Sequence, residues 1–299
     1  MTTNPYRIAF GSIAVSVLVL GLKIAAYLVT GSIALYSDAL ESIINVVTSL
    51  LTLWALWWGG RPADAKHPYG HHKIEYVAAV SEGVLIVLAA LSILRAAYFG
   101  FLNPQPLAAP AHGLAISLVA TIINAGWAQL LIRAGKRHRS PALVADGRHL
   151  MTDVFTTVGV FAGLLAAVFT GWNVLDPLLA ALVAIGVLKA GWEQMTESFG
   201  GLLDEAVSAE DRARIRSIIS GTADGALQAH NIRTRHAGRL IFIDFHLVVP
   251  GGMTVYDAHD ICDRTEAALR EAIPGAHITI HIEPETQAKT KEDGAVAVR

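Results

Sequence analysis

Charged residues and cysteine are both scarce in this sequence. Of its 299 residues, 16% are Asp, Glu, Lys or Arg, whereas a soluble domain has roughly a quarter. The hydrophobic share is 53% and the mean hydropathy is +0.47. The net charge of -2 offers no basic excess to attract a nucleic acid. The composition therefore predicts a membrane protein with no nucleic-acid partner.

The scarcity of cysteine and the lack of a zinc-protease motif argue against further classes of protein and of metal site. A single cysteine, Cys262, excludes an internal disulfide or a thiolate cluster within one chain, and suits a reducing cytoplasm. No H-E-x-x-H sequence occurs, which argues against a membrane zinc protease. No cleavable signal peptide is expected, because the apolar run after Arg7 is long enough to span and more spans follow it.

Six apolar runs each reach the ~20 residues needed to cross a bilayer as a helix. They lie at about 8–29, 33–58, 75–98, 110–134, 143–169 and 173–198. The segments 59–74 and 133–148 carry the Lys and Arg residues of the connections, whereas the connections 30–32, 99–109 and 170–172 carry none. By the positive-inside rule, the two basic loops and both termini are expected in the cytoplasm.

From about residue 200 the sequence predicts a small cytoplasmic α+β domain. Ser208 begins one helix and a second covers Thr254 to Ala272, while strands with alternating apolar residues are predicted at 229–236, 239–248 and 277–283. The order is αββαβ. The predicted organisation is a six-helix transmembrane domain at 1–200, a metal-binding and dimerisation domain at 201–285, and a disordered tail at 286–299.

Two pairs of polar residues at helical spacing predict a metal site inside the membrane. Glu41 and Asn45 lie one turn apart in the second run, and His149 and Asp153 lie one turn apart in the fifth. At a rise of roughly 1.5 Å per residue, both pairs reach similar depths. Imidazole and carboxylate suit a tetrahedral divalent ion such as Zn²⁺, and polar groups so deep are usually functional.

Other interpretations of these polar residues remain open. The four side chains would otherwise only hydrogen-bond between helices. Asp38 and Asp146 are alternative ligands, or acids that orient the ligands or cap the helices. Lys23 is expected to snorkel or to form an ion pair. Glu82 is either a proton relay or a structural acid.

Two further groups of histidines lie outside the apolar runs. In the loop between the second and third runs, Asp64, His67 and His71 can close on one ion, and the alternative is a solvated polar loop. The soluble domain holds six of the twelve histidines of the chain, and His246 and His281 fall on polar strand faces. These histidines form either a metal site or an ordinary set of surface residues.

Three motifs together resemble the cation diffusion facilitator family over about residues 5–285. They are Gly31-Ser32-x-Ala34-Leu35-x-x-Asp38-Ala39-x-x-Ser42, His67-Pro68-Tyr69-Gly70-His71 and Ala145-Asp146-x-x-His149-x-x-x-Asp153. The resemblance implies a homodimeric cation efflux protein of the bacterial inner membrane that exports a divalent metal in exchange for protons, and not an enzyme.

The family resemblance also implies roles for individual residues. It places the transport site on Glu41, Asn45, His149 and Asp153, and a loop site on Asp64, His67 and His71. Metal ligands near the dimer interface of the cytoplasmic domain would be His230, His246, His259, His281 and Glu283. Lys73 and Asp204 match an ion pair that locks the two protomers together.

The sequence departs from the family at the transport site, where His or Asp at position 41 and Asp at position 45 are usual. Because Asn45 carries no charge, the identity of the metal is open: Zn²⁺ is expected first, with Mn²⁺, Fe²⁺, Co²⁺, Ni²⁺ and Cd²⁺ as alternatives. A membrane metal sensor that transports nothing is the second hypothesis. An intramembrane metal hydrolase is disfavoured, since no nucleophile or general base lies beside the predicted ligands.

Overall fold

The structure is a computed structural model that describes residues 5–30, 33–102, 111–170, 175–289 and 295–298. Contacts divide the chain into two compact units, Met1–Phe199 and Gly200–Arg299. The boundary lies one residue from the position where the composition changes. Each unit has its own packed core, and each is described by itself below.

The first unit consists of six long helices. They are α1 (Pro5–Thr30), α2 (Ile33–Gly59), α3 (Ile74–Leu102), α4 (Ala111–His138), α5 (Pro141–Thr170) and α6 (Leu175–Leu202). Their lengths of 26 to 30 residues all exceed the ~20 that span a bilayer. Within the described residues, Arg7–Leu28, Ile74–Leu102 and Ala115–His138 are apolar enough to cross a membrane by composition. The chain is an α-helical membrane protein with six transmembrane helices.

Two glycines allow α4 and α5 to pack closely. A Cβ on Gly147 of α5 would lie 2.9 Å from the backbone nitrogen of Ile132, and one on Gly135 of α4 would lie 2.8 Å from that of Val144. Small residues let helix backbones approach in membranes. Since Gly147 lies between Asp146 and His149, this contact also fixes the part of α5 that carries the predicted ligands.

The starts of α3 and α5 lie at the same end of the helical unit. Ser140, just before α5, donates a short hydrogen bond to the Glu75 carboxylate in the first turn of α3. Both groups are buried. This end of the unit therefore also carries the loop between α2 and α3, residues 60–73.

The second unit is a small α+β domain. It contains α7 (Ala209–Thr222), β1 (Gln228–Ala237), β2 (Leu240–Val249), α8 (Val255–Ala272), β3 (Ala276–Pro284) and β4 (Val296–Ala297). The sheet order is β3-β2-β1-β4, in which β1 and β2 are antiparallel and β2 and β3 are parallel. The predicted αββαβ order is confirmed.

The helices begin and the core forms as the sequence pattern predicts. Ser208 and Thr254 cap α7 and α8 by accepting hydrogen bonds from the amides of Asp211 and Asp257. One face of β2 is buried against both helices, as its alternation predicts. Its core side chains are Ile241, Ile243, Phe245 and Leu247.

The polar tail differs from the prediction of disorder over 286–299. A short 3₁₀ turn at Glu285–Gln287 follows β3, and Val296–Ala297 forms β4, which pairs antiparallel with β1. Ser220 of α7 donates a hydrogen bond of 2.7 Å to the Ala297 carbonyl. The exposed edge of β1 supplies backbone groups that a polar segment can pair with, whatever its side chains.

Candidate metal sites

Asp153 lies at the centre of a buried polar cluster formed by α1, α2, α4 and α5. Its Oδ2 accepts hydrogen bonds from Asn45 Nδ2 at 2.9 Å and from Asn124 Nδ2 at 3.3 Å. The ammonium of Lys23 lies 3.2 Å from the same oxygen. All of these side chains are buried, so three helices direct polar groups to one carboxylate on α5.

Several atoms around this carboxylate have no hydrogen-bond partner. They are the two ring nitrogens of His149, the Oδ1 of Asn45 and the Oδ1 of Asn124. A buried polar atom without a partner costs roughly 1–3 kcal/mol, so such atoms usually have a function. A cavity of about 20 Å³ is lined by His149, Asp153 and Thr156, together with side chains of α3 and α6. It is large enough to hold one water molecule.

These unpartnered atoms fit a divalent cation as ligand. A carboxylate, an imidazole and amide oxygens are donors that Zn²⁺ and its neighbours accept. The Lys23 ammonium supplies the positive charge opposite Asp153 in the absence of such an ion. An arriving dication would compete with Lys23 for the same oxygen, because two cations on one carboxylate oxygen repel each other.

The structure brings together three of the four residues predicted for the transport site: Asn45, His149 and Asp153. The side chains of Glu41 and Asp38 lie outside the described residues, so their place in the site stays a prediction. Of the two alternatives for Lys23, snorkelling or an ion pair, the structure has the ion pair, with Asp153. Asn124 of α4 bonds to the same carboxylate. Neither contact could be predicted from sequence, because spacing along one helix does not identify its neighbours.

Asp146, the alternative ligand, has different contacts from those of Asp153. Its Oδ2 accepts a hydrogen bond of 2.6 Å from Ser12, and Ser49 lies 3.4 Å from its Oδ1. It lies seven residues before Asp153, which is roughly 10 Å along the helix. Asp146 therefore belongs to a separate polar group, nearer the α2–α3 loop.

The loop between α2 and α3 brings together Asp64, His67 and His71. Their ligand atoms lie within 4.8 Å of one another, with Asp64 Oδ1 3.2 Å from His67 Nδ1 and Asp64 Oδ2 3.4 Å from His71 Nε2. A tight turn produces this arrangement, since Gly70 N donates to the His67 carbonyl at 2.9 Å and Gly70 has a φ of +85°. The donor set suits a divalent metal, and its binding stays a prediction.

Backbone amides keep the Asp64 carboxylate charged. Its Oδ1 accepts hydrogen bonds from His67 N at 2.7 Å and Lys66 N at 2.9 Å. The bond from His67, with a further contribution from Lys66, lowers the pKa of Asp64 below its ordinary value. A charged carboxylate between two imidazoles favours a cation at this place.

A row of histidines crosses three strands of the small domain. His230 of β1 pairs with His246 of β2, and His246 pairs with His281 of β3. Glu283 follows two residues later on the same face. Its carboxylate lies 2.8 Å from His246 Nδ1, 3.2 Å from His230 Nε2 and 3.8 Å from His281 Nε2. His230, His246 and Glu283 form a compact potential metal site.

Atoms without hydrogen-bond partners support a cation in this row. His230 Nδ1 is buried and forms no hydrogen bond, and the contacts of His246 Nδ1 and Glu283 Oε2 with each other's side chains or with His230 lack hydrogen-bond geometry. His259 is not part of the row within one chain, and its Nε2 lies 3.7 Å from Asp263 instead. Burial raises the pKa of the nearby Cys262 thiol, with Glu266 and Asp263 adding to the effect, so this residue is a poor thiolate ligand.

Lys73 and Asp204 lie in different units of the chain, and their pairing stays a prediction. Within the second unit, the two Asp204 oxygens each lie 3.3 Å from Arg235 Nη1. Arg235 in turn stacks over the Phe242 ring at 4.7 Å. Asp204 is therefore held by β1 of its own domain.

Comparisons with known proteins cover nearly the whole chain. A family model described as the cation efflux transmembrane domain matches residues 9–203, and one described as the cytoplasmic domain of cation efflux proteins matches residues 207–285. An uncharacterized transporter of Synechocystis sp. is 42% identical over 281 residues, covering 94% of this chain and 90% of that protein. The cation-efflux pump FieF of Shewanella oneidensis is 30% identical, covering 92% of this chain and 94% of that protein.

One solved structure is of CzrB in its zinc form, and its description calls CzrB a proposed zinc transporter. It is 43% identical to this chain, and the match covers 29% of this chain and 99% of that chain, with a TM-score of 0.27. The two family models match both units of the structure, in the order in which the chain carries them. The family consists of transporters and not of enzymes. The chain thus belongs to the cation efflux family, known as the cation diffusion facilitators, and is an integral membrane protein with a cytoplasmic domain.

Proposed function

We propose that this protein is a proton-coupled antiporter that exports a divalent transition-metal ion, with Zn²⁺ as the first candidate. The observation that carries the proposal is the buried cluster around Asp153. It combines one carboxylate with two unpartnered nitrogens of His149 and an unpartnered oxygen of Asn45. A metal and a proton compete for such ligands, because carboxylate and imidazole must be deprotonated to bind a metal.

The competing cation at the cluster supports the coupling to protons. With Lys23 3.2 Å from Asp153, the cluster contains a positive charge of its own. Metal binding replaces that interaction, and protons arriving from the other side of the membrane release the metal from its ligands. Alternating access around a fixed midplane site is the general mechanism of secondary transporters.

The identity of the metal follows from the donors. Imidazole favours Zn²⁺, Co²⁺ and Ni²⁺, whereas amide and carboxylate oxygens also accept Mn²⁺ and Fe²⁺. Because Asn45 is neutral, the site is expected to discriminate less against the harder ions than a site with a third carboxylate. Zn²⁺ remains the first candidate on account of His149.

The other two metal clusters are proposed to be regulatory. Asp64, His67 and His71 are proposed to hold an ion in the α2–α3 loop, and His230, His246, His281 and Glu283 an ion in the cytoplasmic domain. The protein is proposed to act as a homodimer in a bacterial inner membrane, with both termini in the cytoplasm. The ion pair Lys73–Asp204 and the contribution of His259 belong to that dimer.

Uptake of metal into inside-out vesicles tests the proposal. An imposed pH gradient, acidic inside, should drive accumulation of Zn²⁺ by the wild type. His149→Ala should abolish this accumulation, and the exposed substitution Glu193→Gln on α6 should not. If the wild type binds Zn²⁺ but accumulates none under any gradient, the protein is a membrane metal sensor, which was the second hypothesis.

A further inference from the structure

A second buried acidic group lies between the Asp153 cluster and the α2–α3 loop. Glu82 of α3 is fully buried, and its Oε1 accepts a hydrogen bond of 2.7 Å from Thr52 of α2. Its other oxygen, Oε2, is buried and has no hydrogen-bond partner. In the proposed transport reaction, Glu82 has no assigned role.

Asp146 of α5 is the second carboxylate of this group. It is fully buried, and it lies near Glu82 because their respective contacts Ser49 and Thr52 are three residues apart on α2. Ser12 of α1 donates a hydrogen bond to it, and Ser12 and Ser16 also lie 3.1 and 3.0 Å from Ser49. Four helices thus contribute oxygen atoms to this buried group.

The polar residues of α2 connect this group with the Asp153 cluster. Asn45, Ser49 and Thr52 recur at spacings of four and three residues, which places them along one face of the helix. Asn45 contacts Asp153, Ser49 contacts Asp146, and Thr52 contacts Glu82. One face of α2 therefore leads from the transport site towards the α2–α3 loop, over roughly 10 Å.

No cationic side chain neutralises these two carboxylates in the part of the chain that the structure describes. The buried ammonium of this unit, Lys23, lies on Asp153 instead. Two unpaired buried carboxylates are expensive, and such groups either take up protons or bind a cation. The Oε2 of Glu82 is a buried oxygen without a hydrogen-bond partner, and such an oxygen can bind a cation.

We propose that Glu82 and Asp146, together with Ser49 and Thr52, form a second cation site that holds the transported ion between the α2–α3 loop and Asp153. This inference rests on the proposed function, because it assigns the group a role in ion transit. Its donors are all oxygens, which suit harder divalent ions such as Mn²⁺ and hold Zn²⁺ less tightly than imidazole does. A weaker site on the way fits transit, since an ion must be able to leave as well as enter.

Binding of Mn²⁺ to the full-length protein tests the site directly. The starting protein carries His149→Ala and Asp153→Asn, which removes transport-site ligands while leaving an acceptor oxygen for Lys23. Adding Glu82→Gln and Asp146→Asn should reduce the Mn²⁺ bound in equilibrium dialysis by about one ion per protomer. Adding Glu193→Gln, which removes one exposed charge from α6, should leave the bound Mn²⁺ unchanged.

Transport kinetics give a second, independent measurement. In inside-out vesicles, Glu82→Gln alone should raise the half-saturating metal concentration by about tenfold or more, while the Asp153 cluster stays intact. Glu193→Gln should have the wild-type value. The dialysis experiment needs no transport, so it decides about this site even if the proposed antiport fails.

Equal Mn²⁺ binding with and without Glu82→Gln and Asp146→Asn would overturn the proposal. In that case, the two carboxylates hold protons and not a metal. Should the fourfold variant fail to fold, the dialysis is repeated with Glu82→Gln and with Asp146→Asn separately. The proposal is likewise wrong if neither single change reduces the bound Mn²⁺.

Discussion

Substitutions at His149 and Asp153 differ in the number of hydrogen-bond donors that they leave without an acceptor. His149 forms no hydrogen bond through either ring nitrogen, so His149→Ala removes a proposed metal ligand and leaves no donor unsatisfied. Asp153→Ala instead takes the acceptor from Asn45 and Asn124. Each buried donor left unsatisfied costs about 1–3 kcal/mol.

We therefore predict that both variants lose metal transport but differ in stability. Thermal unfolding in detergent should show a larger loss of stability for Asp153→Ala than for His149→Ala, with transport measured at matched protein levels. Near wild-type transport by either variant would disprove the assignment of the site. Equal losses of stability would show that the hydrogen bonds to Asp153 contribute little to the free energy of unfolding.

Asn45→Asp is predicted to strengthen the dependence of metal binding on pH. Asn45 now donates to Asp153, and an aspartate there would place two carboxylates in contact, which share a proton when no metal is bound. Isothermal titration at several pH values should show a steeper pH dependence and a stronger preference for Zn²⁺ over Mn²⁺. An unchanged slope and ratio would mean that Asn45 is not a ligand.

At the scale of residues, the sequence predicted which polar side chains share a helix face, but not which side chains of other helices contact them. The i, i+4 spacing of His149 and Asp153 identified one face of α5. The convergence of Lys23 and Asn124 on Asp153 could not be predicted, because it depends on how α1 and α4 rotate against α5. Glu82 was recognised as unusual, but its partner Thr52 lies on another helix.

Whole elements were predicted within a few residues, because long apolar runs and cap residues define them. The fifth run, expected at 143–169, is α5 from Pro141 to Thr170, and Thr254 begins α8 as expected. The pairing of β4 with β1 was not predicted, since it depends on backbone groups and not on an apolar pattern. The close contact of α4 and α5 was not predicted either, because the sequence does not show which helices pack together.

The close contact of α4 and α5 predicts different effects on stability for two glycine substitutions. Gly147→Ala places a Cβ 2.9 Å from the backbone of α4 and should destabilise the protein by about 1–3 kcal/mol through overpacking. Gly126→Ala in α4 meets nothing within 4 Å, so it should be neutral or stabilise by up to about 1 kcal/mol. Thermal unfolding of the two variants checks this, and equal effects would contradict the close approach.

The turn of the α2–α3 loop should resist mild acid. The pKa of Asp64 is lowered by the His67 amide, so the charged form stabilises the turn. This contribution is fully present above the ordinary value of 3.8 and is lost as the pH falls through the lowered value. In a variant with His67→Gln and His71→Gln, which removes the imidazoles whose own protonation would move this resonance, the amide resonance of residue 67 should keep its position from pH 7 to about pH 4. Adding Asp64→Ala to that variant should shift it throughout. A shift already at pH 6 without Asp64→Ala would disprove this.

At the scale of the whole molecule, the second unit is expected to fold without the helices. It has a core of its own around Phe245, Ile219 and Leu269. Residues 205–299 made alone should bind Zn²⁺ and form a tighter dimer, measured by calorimetry and small-angle scattering. His246→Ala/His281→Ala should weaken both effects. If Zn²⁺ neither binds nor changes the size of the particle, these histidines are ordinary surface residues.

The histidine row has a consequence for protein synthesis. His230, His246 and Glu283 come from three strands, and β3 is paired in parallel with β2 only after α8 has been made. The six long helices end at Leu202, so all of them are synthesised before residue 283. The cytoplasmic domain therefore becomes able to hold a cation only when its chain is almost complete. A nonsense mutation before β3 would leave a membrane unit that lacks this row of ligands.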